Sequence, residues 1–411
     1  MTRFLRAGLA LVLFTLAACA NVAHEPIATE APPVLLVSID GFHPSYLDRG
    51  MTPHLSRIAA EGVRADGLRP SYPTLTFPNH FTLVTGMRPA RHGIVHNTMR
   101  DPVLGAFKSS NADNAGDARW WNGAEPLWVT AERAGVRTAT MFWPGSQAAI
   151  RGVRPTHWRP FDASFPNDAR VDQVVAWLSA RAPRVRFATL YFELLDQTGH
   201  AFGPHSPQVD RDIAAIDATI GRLLGELEAH DLRPNLVIVS DHGMAEVAPG
   251  HLVAIEDMVD PGDAEAIATG QVVGFAPRRG RERAAEAALL GRHAHYACWK
   301  RDAIPARWRY DANPRVPPIL CQFDEGWAAI PRADFARVPA HALGAHGFDP
   351  ALPSMRGMFI ASGPAFRRGV QLPVIDNVDV YPLLARLVGV PPLAGDGTLE
   401  PFLPALGREA R

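Results

Sequence analysis

The sequence predicts a doubly wound α/β domain: a mostly parallel sheet with helices on both faces and a smaller inserted subdomain. Three observations carry that expectation. Largely apolar runs at Val34 to Ile39, Leu190 to Leu195 and Leu236 to Val239 suit strands buried on both faces of a sheet. Segments with helical spacing alternate with those runs, as a doubly wound sheet requires. Each run also ends in an aspartate, Asp40, Asp196 and Asp241, with His200 and His242 close behind the last two. Ligands of parallel sheets sit outside the carboxyl ends of the strands, and three carboxylates gathered there would repel one another without a cation between them.

Along the chain, Arg3 and Arg6 precede an apolar stretch from Ala7 to Ala18 that is too short to span a bilayer. Residues 1–18 read as an export leader. Leu16-Ala17-Ala18-Cys19 resembles a bacterial lipobox, which would make Cys19 a lipidated first residue; cleavage after Ala18-Cys19-Ala20 is the alternative. Either reading exports the protein, to the periplasm as a membrane-anchored lipoprotein or as a soluble form. Residues 19–32 are small, polar and Pro-containing and read as a tether. One domain is expected over 33–404. A helix is expected over Thr52 to Glu61 with Pro53 at its start, and another from Phe81 to Thr85 ended by Gly86, with Thr76 as its N-cap and Pro78 in the first turn. A strand over Thr138 to Phe142, a helix over Val171 to Ala180 and a strand over Phe187 to Leu195 follow. Val209 to Ala229 carries Ile213, Ile216, Ile220, Leu223, Leu224 and Leu227 at helical spacing and returns to the strand at Leu236. Residues 256–340 are rich in Arg, Ala and Pro with weak periodicity and read as an insertion. Met358 to Ala361 gives a last core strand, and Asp379 to Val388 a closing helix.

The charge balance excludes some partners. With 41 basic and 42 acidic residues and a formal net charge of −1 over 411 residues, no Lys/Arg stripe marks a surface that tracks nucleic acid. Contact with a membrane would come only through an N-terminal lipid, and the sequence carries no signal for an oligomeric state. Once Cys19 is set aside, Cys298 and Cys321 remain, and an oxidising compartment favours pairing them. Closing that loop would stabilise by about 3 kcal/mol; two buried thiols are the alternative.

Asp196, His200, Asp241 and His242 offer carboxylate and imidazole ligands of the kind zinc takes, Asp40 offers a further one, and His346 lies in the turn-forming Gly344-Ala345-His346-Gly347. Thr76 is the candidate nucleophile. Its hydroxyl attacks only when deprotonated, and a helix N-terminus favours an alkoxide or a bound phosphoryl group. The plainer alternative is that Thr76 only caps its helix.

These segments carry a resemblance. Ile39-Asp40-Gly41-Phe42, Pro73-Thr74-Leu75-Thr76-Phe77-Pro78-Asn79-His80 and His92-Gly93-Ile94-Val95-His96-Asn97 resemble the nucleotide pyrophosphatase/phosphodiesterases of the alkaline phosphatase superfamily, bacterial members in particular. So do Asp196-Gln197-Thr198-Gly199-His200 with Gly203-Pro204, Ser240-Asp241-His242-Gly243-Met244, and His346-Gly347-Phe348. The resemblance runs from about residue 33 to residue 390 and implies an alkaline-phosphatase-like fold. It implies two zinc ions per chain, one held by Asp196, His200 and His346 and the other by Asp40, Asp241 and His242 beside the Thr76 oxygen. It further implies that Asn97 and a backbone N–H near Thr76 bind a phosphoryl oxygen, and that Phe77 and Phe161 stack on a nucleotide base. The implied reaction is hydrolysis of nucleotide phosphodiester or pyrophosphate bonds through a phosphothreonine intermediate, releasing a nucleoside monophosphate. One departure stands out. Family members often carry Glu-Pro-Asp ahead of the Asp-x-x-x-His pair, where this chain has Glu193-Leu194-Leu195-Asp196. That change is expected to alter packing more than chemistry.

Other readings of the same residues stay open at this stage. A phosphonate hydrolase can use threonine. A phosphomonoesterase would need a third metal or an arginine beside Thr76, and only Arg69 and Arg88 are near in sequence. A sulfatase is excluded by the absence of a Cys/Ser-x-Pro-x-Arg nucleophile segment. A non-catalytic surface lipoprotein that binds zinc or nucleotide is the alternative from a different class.

Overall fold

The computed structural model of the chain describes residues 31–408 and Ala410. Cys19, the leader and the tether up to residue 30 lie outside the described residues. The main sheet has eight strands, numbered here along the chain: β1 (Val34–Ile39), β2 (Val63–Ala65), β3 (Arg137–Met141), β4 (His157–Arg159), β5 (Val185–Phe192), β6 (Asn235–Val239), β7 (Phe359–Ser362) and β8 (Val370–Leu372). Their order across the sheet is β8-β2-β7-β6-β1-β5-β3-β4. β1 lies at the centre and pairs in parallel with β5 and β6. β7 runs antiparallel to both its neighbours, so the sheet is mixed but mostly parallel.

The apolar runs become strands because both of their faces are covered. Val34 and Leu36 point into one core with Phe81, Val84, Leu383 and Leu384, while Leu35, Val37 and Ile39 point into the other with Leu55, Val174, Ile213 and Ile220. Successive strand residues face opposite sides, so a strand between two helical layers needs an apolar residue at nearly every position. Each such side chain, fully buried, contributes about 1.5–3 kcal/mol of transfer free energy. One layer holds α2 (Thr76–Thr85) and α6 (Val380–Val388); the other holds α1 (Pro53–Glu61), α3 (Asn167–Ser179) and α5 (Pro207–Ala229), while α4 (Leu194–Phe202) follows β5 at the carboxyl edge. Local chemistry marks the helix ends. The Ser206 side chain accepts from Val209 N at the start of α5, and Gly86 closes α2 in a left-handed conformation with φ 64°.

The structure corrects three sequence expectations. The strand expected over Phe187 to Leu195 runs from Val185 to Phe192; Leu194 and Leu195 open α4, so Asp196 lies in the first turn of a helix and not at a strand end. A run such as Leu-Tyr-Phe-Glu-Leu-Leu is compatible with either state, and the change occurs where Glu193 turns inward to pair with Arg170. Thr76 is the first helical residue of α2, and its N-cap is Leu75 with no side-chain capping bond. Residues 256–340 are also more regular than their composition suggests. They contain five strands of a second, antiparallel sheet, ordered Ala264–Ala268, Val272–Pro277, Ile319–Phe323, Tyr296–Lys300 and Gly291–Arg292. Its separate apolar core includes Val273, Phe275, Leu289 and Ile319. Cys298 and Cys321 face each other across adjacent strands of that sheet and form a disulfide.

Candidate active site

Strand register assembles the centre of the site. Ile39 lies opposite Phe192 and Ser38 opposite Val239, so β1 and its two neighbours end at one level. Asp40 follows β1 directly and donates its N–H to Phe192 O at 2.9 Å; Asp241 follows β6 one residue later. Gly41 then turns with φ 70°, and a Cβ there would meet Asp196 Cα at 3.2 Å, so glycine is what lets the β1 end approach α4. Asp196 and His200 are four apart on α4 and share one face. His346 arrives from outside the sheet. Leu343–Ala345 pairs antiparallel with Ala245–Val247, just beyond His242, and this lays the His346 ring against the His242 ring with centroids 3.6 Å apart. Thr74 fixes that loop: its carbonyl accepts from His346 Nδ1 at 2.8 Å and its hydroxyl accepts from Gly347 N at 2.8 Å.

The six residues form two adjoining groups. Asp196, His200 and His346 offer ligand atoms within 4.8 Å of one another, and so do Asp40, Asp196 and His242. Asp241 joins the second group through Oδ2, 3.0 Å from His242 Nε2. Thr76 Oγ1 stands 3.3 Å from the same nitrogen. The side chain that was expected to cap a helix therefore faces the cluster.

Three features show that this donor set suits cations. First, Asp40 Oδ1, Asp196 Oδ1 and Asp241 Oδ2 are buried and accept no hydrogen bond. Second, His200, His242 and His346 all direct Nδ1 at a backbone carbonyl, of Gly344, Gly243 and Thr74. A carbonyl only accepts, so each Nδ1 carries a proton and each Nε2 is directed inward, the orientation metal-binding histidines use. Third, His200 Nε2 and His346 Nε2 converge to 3.0 Å of each other, both beside the Asp196 carboxylate, as two ligands of one cation would. The mixed carboxylate and imidazole set fits zinc, and manganese or iron also take such ligands.

Electrostatics follow the same pattern. Burial, then the neighbouring Asp241 and Asp196, push the Asp40 carboxyl well above its usual range. Burial opposes ionisation of Asp241 too, but His242 and His80 beside it outweigh that and hold it well below. Burial, with His242 and His200 nearby, pushes His346 well below the ordinary imidazole range, so it stays a neutral ligand. The Asp40 shift has a measurable consequence. Its proton must leave when a cation binds, so metal affinity should rise with pH and binding should release protons. Calorimetry of zinc addition in buffers of different ionisation enthalpy checks this; a proton count of zero would contradict the Asp40 assignment.

Beside the cluster, Asn97 Oδ1 accepts from Phe77 N at 3.0 Å. That bond sets which end of the amide meets Phe77 N and leaves Nδ2 outside it. The Phe77 N–H is thereby committed to Asn97, and Pro78 has no N–H to offer. Next to Thr76 opens a cavity of about 430 Å³ lined by Phe77, Phe142, Trp143, Gln147, Phe161 and Tyr191 among others. Phe77 and Phe161 thus line one cleft, and Phe161 is 49% exposed at its rim. Arg69 and Arg88 both pair with Asp376.

Sequence reasoning assigned no role to Tyr191, Ser38 or His80. Tyr191 OH donates to Asp40 Oδ2 at 2.5 Å, which leaves only Oδ1 of that carboxylate for a cation. Ser38 and His80 are hydrogen-bonded to each other beneath the site. The available signal was a serine inside an otherwise aliphatic strand and a histidine on the buried side of α2.

Residues 34–349 match the family model for type I phosphodiesterase / nucleotide pyrophosphatase. The chain belongs to that family. Human ectonucleotide pyrophosphatase/phosphodiesterase family member 5 is 34% identical over 94% of this chain and 81% of its own length. Mouse bis(5'-adenosyl)-triphosphatase is 35% identical over 90% of this chain and 81% of its own. Among solved structures, murine ectonucleotide pyrophosphatase/phosphodiesterase 5, an inactive threonine-to-alanine variant in complex with AMP, superposes with a TM-score of 0.87 at 33% identity, covering 92% of this chain and all of that one. The chain is thus an enzyme of the nucleotide pyrophosphatase/phosphodiesterase family with an alkaline-phosphatase-like fold.

Proposed function

We propose that the enzyme hydrolyses phosphodiester or pyrophosphate bonds of small nucleotides with two zinc ions and a phosphothreonine intermediate. The observation that carries this reading is the convergence of three buried, unsatisfied carboxylate oxygens and three inward-directed Nε2 atoms beside the Thr76 hydroxyl. Asp196, His200 and His346 would hold one ion, and Asp40, Asp241 and His242 the other, with Thr76 beside it. When bound, the ions supply positive charge that lowers the proton affinity of the threonine hydroxyl and offsets charge on the phosphoryl oxygens.

The chain's own groups do the rest. Thr76 Oγ1, free of capping duty at the first position of α2, bonds to phosphorus in line as the opposite ester oxygen departs. Asn97 Nδ2 donates to a non-bridging oxygen, its geometry set by the Phe77 N–H. Water then cleaves the threonyl phosphate, releasing a nucleoside monophosphate and restoring the hydroxyl. Phe77 and Phe161 hold the base. The AMP bound by the murine relative is a ligand of the same class.

Two measurements test this. Rates of metal-quantified protein on a nitrophenyl phosphodiester, its monoester and phosphonoacetate should rank the diester first; preference for either of the others would replace the reading with a phosphomonoesterase or a phosphonate hydrolase. Base stacking is worth about 1–3 kcal/mol per base. Phe77→Ala or Phe161→Ala should therefore raise KM for a dinucleoside polyphosphate by about 5- to 150-fold and leave the nitrophenyl diester little changed. An equal effect on both substrates would remove the stacking role.

The N-terminal sequence supports a further proposal: export to the periplasm with a lipid on Cys19. Fatty-acid labelling that vanishes in Cys19→Ser supports the anchor, and labelling absent from the wild type favours the soluble form.

A further inference from the structure

His80 is fully buried in α2, and the mechanism above gives it no task. Both of its ring nitrogens are engaged. Nδ1 meets Thr76 O at 2.9 Å and Nε2 meets Ser38 Oγ at 2.8 Å. Its backbone carbonyl accepts from Trp143 Nε1 at 3.2 Å. Its ring stands edge-on to Trp143 and to Tyr191, with centroids 5.0 and 4.9 Å away. Ser38 lies on β1 two residues before Asp40, and Thr76 opens α2. A single side chain therefore ties the strand that ends in Asp40 to the carbonyl of the residue that carries the attacking hydroxyl.

His80 could be mistaken for a metal ligand, because it forms a compact set with Asp40 and Asp241 and its Nδ1 is 3.3 Å from Asp241 Oδ2. The hydrogen bonds argue otherwise. Thr76 O only accepts, so Nδ1 carries a proton, and Nε2 faces Ser38. Neither nitrogen turns a lone pair toward the carboxylates. We propose that His80, backed by Ser38, is a positioning residue that fixes the height and direction of Thr76 over the cation site. The proposal rests on the reading of Thr76 as nucleophile. Displacing a reacting atom by about 1 Å costs on the order of 100-fold in rate, so a hydrogen bond that holds the nucleophile's own backbone has leverage on kcat.

The test uses the full, zinc-loaded chain with Ser38→Ala, His80→Asn, His80→Gln and Thr76→Ala side by side. Asparagine places an amide N–H near the position of Nδ1, and glutamine reaches past it toward Ser38. The expected order of kcat is wild type, then His80→Asn, then His80→Gln, with the last down by about 10- to 100-fold. Ser38→Ala should lose about 10-fold, with KM and zinc stoichiometry unchanged. A purely structural role would instead lower the melting temperature and zinc content in step with activity. Spectra of 15N-histidine-labelled wild-type protein should show a protonated Nδ1 on His80, a readout that needs no variant to fold. An unprotonated Nδ1, wild-type kcat in Ser38→Ala together with equal kcat in the two His80 variants, or activity loss that only tracks zinc loss would each overturn the proposal. Turnover in Thr76→Ala would instead overturn the nucleophile assignment, so the two failures are distinguishable.

Discussion

Replacing Thr76 with alanine should lower kcat/KM for a phosphodiester on the order of 10⁴-fold or more while zinc stays near two ions per chain. The expectation follows from where the hydroxyl stands. It makes no capping bond, and its contact is His242 Nε2 at 3.3 Å, inside the Asp/His cluster. Removing it takes away the atom that would bond to phosphorus and leaves every carboxylate and imidazole in place. Binding of a nucleoside monophosphate should persist, since Phe77, Phe161 and Asn97 are untouched. Metal analysis, product-binding calorimetry and turnover on one preparation check all three parts. Residual turnover above about a hundredth of the wild-type rate would mean that water attacks directly and Thr76 only orients it. Loss of zinc along with activity would mean that the hydroxyl serves mainly as a ligand.

Much of this site was legible because its parts are short and local. Asp40 and Asp241 each terminate an aliphatic strand, and parallel register alone brings such ends to one level. His242 comes with Asp241, and the four-residue spacing of Asp196 and His200 puts both on one helix face. His346 could be linked to the others only through the family resemblance, because what brings it in is pairing between Ala245–Val247 and Leu343–Ala345, a contact that spans the whole second sheet and has no periodic signature. The β5 boundary was misread for a related reason. Leu194 and Leu195 are as apolar as the strand before them, and only the turn of Glu193 toward Arg170 ends the extended backbone. Within the Glu-Leu-Leu-Asp departure, Leu195 packs into a core shared with α5. The second sheet was hidden by composition. One of its strands is only Gly291–Arg292, and two of the others are rich in alanine or carry glycine and proline, which weakens a period-two signal. Ser38 and His80 were in plain view, but a buried hydrogen bond between residues 42 apart cannot be read from either segment alone.

Asp196→Asn should separate function from stability, and in opposite directions. Asp196 belongs to both ligand groups: its carboxylate lies 3.5 Å from His200 Nε2 through Oδ2 and 3.4 Å from His346 Nε2 through Oδ1, and it shares the second group with Asp40 and His242. With zinc, losing this charge should reduce the stoichiometry to one ion or fewer and lower kcat/KM on the order of 10³-fold or more. Without zinc, the same charge is a burden. Asp196 is one of the groups that, after burial and Asp241, drive the Asp40 carboxyl upward, so the metal-free fold keeps these acids together only by leaving a proton on Asp40. Removing the Asp196 charge takes away one of the causes of that constraint. The metal-free variant should therefore melt a few degrees above the metal-free wild type, and the order should reverse once zinc is added, because the wild type gains more from binding. Melting curves of both proteins in chelator and in zinc decide the matter. If the variant melts lower in chelator as well, Asp196 is a structural group of the α4 first turn, and the account of the site as a set of repelling acids held together by cations fails.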